Sequence, residues 1–316
     1  MRTPNFWRSI NLLSLLLFPV SLVYLLVSKL RFAIQSPVKF NKKVICIGNI
    51  TAGGSGKTPI AIALGKLLIK KGNKIAYVCK NFAGTLRQPV EVNKQHTIKE
   101  VLDEALLLSK IAPTFAAKTR SEAIAQASKA DFDFIIADDG LQNNSFFKDL
   151  SILVIDTQIG FGNNCILPAG PLRETLNSGL KKADLVFIVG HISQNIKKHL
   201  KDKKVFTLKA EFKLPNKKAK RYIAFAGLAY PEKFFVALNK IGANIIEKID
   251  YADHHKYTKK ELLYLLKKAD NLNAQLITTE KDLVRIPNNY RKNIDCLKMT
   301  MRFQDESQIT KIIESL

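Results

Sequence analysis

The run Gly48-Asn49-Ile50-Thr51-Ala52-Gly53-Gly54-Ser55-Gly56-Lys57-Thr58 joins an apolar strand-like segment, 43–47, to a stretch with apolar residues at helical spacing, 57–70. A strand that turns through glycines into a helix reads as a nucleotide phosphate cradle. Gly53, Gly54 and Gly56 free the backbone to bring its N–H groups to phosphate oxygens, while the following helix aims its positive dipole end at the same anion. Lys57 would reach the β- and γ-phosphates, and Thr58 would offer a hydroxyl to Mg²⁺. One position departs from GxxxxGK[ST], because Thr51 stands where the first glycine falls. The competing reading is a Gly-rich turn without a ligand.

Beyond the loop, β-branched runs at 75–79, 132–137, 152–155 and 185–189 alternate with helical patterns at 98–111, 120–130 and 172–182. That alternation predicts an α/β fold: a P-loop NTPase-like lobe around a parallel sheet. After a Lys-rich stretch a second α/β set follows, with strands at 222–226, 245–249 and 276–278 and helices at 231–241 and 258–269. Segments 205–212 and 296–303 both look extended and are expected to pair as a two-stranded ribbon joining the lobes, with the last helix, 305–314, returning toward the first. The expected domains are an N-terminal membrane-anchor helix, 1–35, a P-loop lobe, 36–204, and a smaller α/β lobe with ribbon and C-terminal helix, 205–316.

The anchor rests on residues 10–27, almost continuously apolar and flanked by Arg2, Arg8, Lys29 and Arg31. The length suits a membrane span, whereas Asn11, Ser14, Ser21 and Pro19 suit an interfacial helix equally. A cleaved signal peptide fits less well, since 28–31 makes a poor cleavage site and export would part a nucleotide loop from nucleotide. Fifty Lys and Arg against 27 Asp and Glu give a net charge of +23, which attracts a polyanion: nucleic acid, an anionic membrane face or a phosphorylated substrate. The basic segments lack interleaved aromatics, which weakens the nucleic-acid version. Cys46, Cys79, Cys165 and Cys296 are too scattered for a disulfide framework or a zinc site.

Several segments could carry chemistry. The apolar strand at 132–137 ends in Asp138 and Asp139, placed to hold Mg²⁺ directly or through water; a turn or cap carboxylate is the plainer role for either. Asp103 and Glu104 fall in the first turns of a predicted helix, where the dipole stabilises carboxylates in any case. Asp253-His254-His255 lies in a strand-to-helix connection, where Asp253 could orient His254 as a general base; a surface-loop histidine is the alternative. Leu167-Pro168-Ala169-Gly170-Pro171-Leu172-Arg173-Glu174 punctuates the start of a helix, and its first turn would bring Arg173 to a phosphate and Glu174 toward the metal. Residues 278–282, Thr-Thr-Glu-Lys-Asp, read as a solvated charged turn and a weak site candidate.

GNITAGGSGKTP, DDGLQ, LPAGPLRE, the Asp-His-His triplet and TTEKD, in this order behind an apolar helix, closely resemble the tetraacyldisaccharide 4'-kinase family of lipid A biosynthesis. The resemblance runs over nearly the whole chain and covers Thr51, which the family's loop also carries. It implies transfer of the ATP γ-phosphate, with Mg²⁺, to the 4'-hydroxyl of lipid A disaccharide 1-phosphate. The setting it implies is the cytoplasmic face of the bacterial inner membrane, with the anionic membrane surface as partner and no nucleic acid. By the same resemblance, Thr51, Ala52, Gly53, Gly54, Ser55, Gly56, Lys57 and Thr58 form the ATP loop, with Lys57 also catalytic. Gln142 and Arg173 contact nucleotide, and Thr58, Asp138, Asp139 and Glu174 approach the metal. Asp103 helped by His254, or His254 itself, takes the acceptor's proton, with Asp253 beside the imidazole, and lobe closure over ATP is expected to complete the site. Two departures stand out: Lys80-Asn81-Phe82-Ala83-Gly84 replaces the common Ser-Arg-Gly-Tyr, and Asn143 stands where His often follows DDG[FL]Q. The rival readings are a membrane-tethered switch, disfavoured by the lack of an [NT]KxD base-reading motif, a nucleic-acid-stimulated ATPase, and a scaffold with a degenerate loop.

Overall fold

The computed structural model describes residues 4–54, 56–81, 84–86, 88–192, 194–200, 202–215 and 221–316. Ser55 of the glycine loop and Phe82 and Ala83 of the departing segment lie outside them. The chain forms two compact units, Pro4–Ala210 with Met301–Leu316, and Glu211–Thr300.

In the larger unit, strands β1 (Lys43–Gly48), β2 (Ile75–Lys80), β3 (Val90–Glu91), β4 (Thr114–Ala117), β5 (Phe134–Asp138), β6 (Leu150–Asp156), β7 (Leu185–Val189) and β8 (Lys204–Lys213) stand in the order β8-β7-β6-β1-β5-β2-β4-β3. All neighbours run parallel except β3 on β4. Helices α1 (Leu12–Ile34), α2 (Lys57–Lys70), α3 (Asp103–Leu108), α4 (Arg120–Ala127), α5 (Leu176–Lys182) and α6 (Gln194–Lys198) connect or precede them. Strands β1 and β5 are apolar on both faces because each has a layer on either side. One buried cluster sets Val44, Cys46, Val78 and Ile135 against Ala123 and Ile124 of α4; another sets Leu153, Ile155 and Val186 against Leu180 of α5 and Ile196 of α6. Burial pushes the Cys46 thiol up to about 11 and raises Cys79 too, as expected of inert core cysteines.

The smaller unit has a parallel sheet of its own, β10-β9-β11-β12, from β9 (Tyr222–Ala226), β10 (Ile245–Asp250), β11 (Gln275–Thr279) and β12 (Ile294–Phe303). Helices α7 (Pro231–Lys240), α8 (Lys259–Asn271), α9 (Glu280–Arg285) and α10 (Asn288–Arg291) complete it. Their starts are written in the sequence: Pro231 opens α7, Thr258 and Glu261 form a capping box for α8, and the Thr279 side chain caps α9. The expected ribbon is present, since β8 and β12 are neighbours in the strand order. The division between units falls within both strands, at 210/211 and 300/301, rather than ahead of the ribbon at 204/205, because the first half of β8 is hydrogen-bonded to β7. The last helix, α11 (Glu306–Glu314), belongs to the larger unit and packs on α2.

Two helices start later than their patterns suggest. The expected helix at 98–111 shortens to α3, as Glu100 folds back onto the Thr97 amide and hydroxyl and Leu102 is extended. The one at 172–182 shortens to α5, because Leu172 pairs with Thr51, the Arg173 amide bonds Ile50 O, and Thr175 is the helix cap. Arg173 and Glu174 therefore sit in a bend pinned to the glycine loop, not in a first helical turn.

Candidate active site

Strand β1 lies centrally in the sheet, so the loop that leaves its C-terminal end opens beside the end of β5, where Ile47 is paired with Asp138. Gly53 and Gly56 take positive φ, 102° and 76°, and Gly56 is the N-cap of α2. These are the conformations that only glycine adopts without strain, and they turn the strand into the helix. Thr51 is buried and paired with Leu172, and the Ala52 amide donates to Pro171 O at 2.7 Å, so the LPAGPLRE segment braces the loop from outside.

Lys57 opens α2 and donates to Asn49 Oδ1 at 2.9 Å, with Asp139 Oδ1 3.4 Å away. Asn49, fully buried, also donates to Thr51 O, and so ties the lysine to the entry of the loop. It is a site residue that the sequence reading passed over, although it stands in the quoted motif just after β1. Arg173 Nη1 reaches both Asp139 oxygens at 2.9 and 3.0 Å. Asp139 itself has φ of 56°, a conformation rare outside glycine that turns its carboxylate into this cluster. Gln142 donates to Asn49 O and to Glu174 Oε1, and the buried Glu174 also accepts from Ser178 and Lys182. Arg120, at the start of α4, donates to Asp138 O at 2.9 Å; a single arginine at a helix start gave no pattern to find it by.

The paired carboxylates are driven apart electrostatically. Burial, then the charge of Glu104, raises Asp138 from 3.8 to about 6, with Lys57 pulling the other way. Burial alone would raise Asp139 as well, but Lys57, Arg173 and Arg120 together hold it well below the usual carboxylate range. Burial also lowers Lys57, against the pull of Asp139. The result is one ion-paired carboxylate beside one poised near neutrality. Asp138 Oδ2 accepts the Thr58 hydroxyl at 3.0 Å, while its buried Oδ1 has no hydrogen-bond partner. A buried bare oxygen next to a hydroxyl fits a divalent cation. Among the described residues no three His, Cys, Asp or Glu side chains group as a metal cage, and Mg²⁺ needs none when phosphates and water complete its shell.

Asp138, Asp139, Arg120, Gln142, Arg173 and Glu174 help to line a cavity of about 650 Å³. Tyr24, Leu25 and Phe32 of α1 form its apolar side, Lys29, Arg31, Lys80, Arg120, Arg173 and Lys182 bring positive charge, and Asp138, Asp139, Gln142 and Glu174 mark its phosphate-loop end. Lys80, in the segment that departs from the family pattern, is lowered by burial and then by the neighbouring charges of Arg120 and Arg31. Glu104 also lines the cavity, whereas Asp103, the first residue of α3, is buried with one oxygen on the Glu104 amide. Asp253 and His254 belong to the smaller unit, in the connection between β10 and α8, where His254 also has positive φ, 57°. The 278–282 segment is the end of β11 and the start of α9 rather than a turn, and although Glu280 is exposed, Asp282 is fully buried.

A glycine loop between the central parallel strand and a helix, with its lysine, threonine and an acidic strand end beside it, defines a P-loop phosphotransferase. Residues 13–316 match the family model described as tetraacyldisaccharide-1-P 4'-kinase. The chain belongs to that family. Among curated proteins it is 39% identical over 297 residues to the tetraacyldisaccharide 4'-kinase of Parvibaculum lavamentivorans, covering 90% of this chain and 87% of that protein. It is 36% identical to the one of Rhodospirillum rubrum, covering 100% and 98%, and 38% identical to the one of Rickettsia canadensis, covering 98% and 96%. Its fold matches a crystal structure of LpxK from Aquifex aeolicus in complex with ATP, with a TM-score of 0.76, 23% identity and coverage of 96% and 99%.

Proposed function

We infer that this chain is an ATP-dependent kinase that moves the γ-phosphoryl group to the 4'-hydroxyl of a tetraacyldisaccharide 1-phosphate in lipid A biosynthesis. The observation that carries the reading is the cavity, which joins the phosphate-loop carboxylates to the apolar side of α1 through a belt of cations. A lipid with a phosphorylated sugar head matches all three of its surfaces. Family membership favours this reading over a switch or a nucleic-acid-stimulated ATPase.

Phosphoryl transfer asks for positioning and for neutralising charge on the transferred oxygens. The amides of Gly53, Gly54, Gly56, Lys57 and Thr58 and the Lys57 ammonium hold the triphosphate, the Ala52 amide being spent on Pro171 O, and Arg173, released from Asp139, is placed to meet the same oxygens. Asn49 keeps Lys57 pointed at the loop. Thr58 and Asp138 would hold Mg²⁺, which when bound spreads the charge of the phosphates; Asp139 and Glu174 shape the field around it. Gln142 fixes Glu174 against the strand end. Asp103 and His254 share the handling of the acceptor proton, with Asp253 beside the imidazole.

The setting is the cytoplasmic face of the inner membrane. Among the described residues one helix, Leu12–Ile34, is long and apolar enough to cross a bilayer, and the net charge of +23 draws the protein to anionic lipid. Incubating the purified protein with labelled ATP, Mg²⁺ and lipid A disaccharide 1-phosphate in detergent micelles tests the reading. Label is expected in the lipid; label released only as inorganic phosphate refutes it.

A further inference from the structure

In the smaller unit a buried carboxylate collects an unusual number of donors. Asp282 Oδ1 accepts from the Gly227 amide at 2.9 Å, the Tyr257 hydroxyl at 2.9 Å and Arg285 Nη1 at 3.1 Å, while Oδ2 accepts the Thr279 hydroxyl at 2.7 Å. Arg285 is nearly as buried, its side chain 3% exposed, and Nη1 also donates to Gly227 O at 2.7 Å. Its other nitrogen, Nη2, lies 3.3 Å from His254 Nδ1. The His254 side chain is 52% exposed, with Nε2 3.9 Å from Asp253 Oδ2, and its amide donates to Gly227 O and Asp253 Oδ1. One ring nitrogen is thus held from inside the unit, and the other lies beside Asp253 on a half-exposed side chain.

A guanidinium has donors only, so Nδ1 must present its lone pair to Arg285, and the proton of the neutral ring then sits on Nε2. An imidazolium would set N–H against N–H and positive charge against positive charge. We propose that Arg285, clamped by Asp282, is a positioning residue that fixes His254 as the neutral Nε2–H tautomer. The inference rests on the proposed role of His254 in phosphoryl transfer and deepens it: at Nε2 His254 is a hydrogen-bond donor, and Asp103 is left as the proton acceptor. It also explains why one carboxylate of the 278–282 segment is buried within the fold: Asp282 cancels the charge of Arg285 and aims its fork.

The test is long-range ¹H–¹⁵N correlation on the full-length protein with labelled histidine in micelles, near neutral pH, with His254 assigned by the signals lost in His254→Gln. A pyridine-type Nδ1 and a pyrrole-type Nε2 are expected; an Nδ1–H tautomer or an imidazolium overturns the proposal. In Arg285→Met the fixed tautomer is expected to give way to a mixture, and kcat to fall about 10- to 100-fold with the KM for ATP unchanged, as for a misplaced reacting group. An Arg285→Met protein with wild-type spectrum or kcat overturns it. The wild-type spectrum decides even if that variant does not fold. It also needs no turnover, so a protein that phosphorylates no lipid would sink the kinase reading and leave the tautomer assignment to stand or fall separately.

Discussion

Replacing Asp138 with Asn removes a buried carboxyl that the fold raises from 3.8 to about 6. A carboxyl raised above its unfolded value binds its proton more tightly in the native state. It therefore costs nothing where both states are protonated, below about pH 4, and exerts its full penalty above about pH 6. The gap of roughly two units, at ~1.4 kcal/mol each, makes that penalty about 3 kcal/mol. Asn keeps an acceptor for the Thr58 hydroxyl but puts an amide where Oδ1 has no partner, a cost of about 1–3 kcal/mol at every pH. The net effect near neutrality is small, yet the effect of the substitution should shift by about 2–3 kcal/mol in the variant's favour between about pH 4 and pH 7.5. Urea denaturation of both proteins in one detergent, without divalent cations, reads this directly. Adding Mg²⁺ with a nonhydrolysable ATP analogue should reverse the order near pH 7.5, because only the carboxylate offers the cation an anionic oxygen. A substitution effect that is the same at both pH values, or larger against the variant at the higher one, would refute the picture of a carboxyl kept bare for a cation.

Lys57→Ala should reduce lipid phosphorylation by about 10²- to 10³-fold, as loss of a charge-stabilising donor does, with an unchanged far-ultraviolet spectrum; retained turnover would point to a scaffold. Arg173→Ala removes a cation that holds Asp139 down; kcat measured at saturating ATP should fall about 100-fold, and an equal effect on ATP affinity alone would place Arg173 in ground-state binding only. Gly65→Ala should lower the thermal midpoint, since its Cβ would stand 2.6 Å from Tyr77 Cζ and 2.7 Å from Ile75 Cδ1, an overpacking cost of about 1–3 kcal/mol. An unchanged midpoint would mean that α2 can lift off β2.

Much of this was legible because local pattern and tertiary demand agree. The strand at 185–189 coincides with β7, and the Asp-Asp pair does close a strand next to β1, since runs buried on both faces announce themselves by composition. β4 was not legible: Thr114-Phe115-Ala116-Ala117 is short, and its two alanines carry little strand preference, so only its pairing with β2 makes it a strand. Arg173 and Glu174 looked like a first helical turn because Pro and Gly precede them, but pairing with the glycine loop took precedence over local punctuation. Asp282 looked solvated because charge clusters usually are; that it is buried depends on Tyr257 and Gly227, 25 and 55 residues away in sequence, and no local window contains them.

Helix α1 inverts the usual rule for a helix on a water-soluble unit. Its buried residues are Ser14 and Ser21, while Leu15, Leu16, Phe18, Val20, Leu22 and Val23 stand exposed. Its bonds to the 166–169 segment are polar and directional: the Ser21 hydroxyl donates to Ile166 O at 2.8 Å and accepts from the Ala169 amide, and ahead of the helix Trp7 Nε1 donates to Pro168 O. Docking by hydrogen bonds rather than apolar packing leaves the apolar surface free, which is costly in water and favourable in a bilayer. The segment that receives those bonds, 166–169, runs within a few residues to Arg173 and its bond with Asp139. On the proposed reading, the depth of α1 in the membrane therefore sets the height of the phosphate site, and a sugar that stays in the lipid surface meets the loop without leaving it.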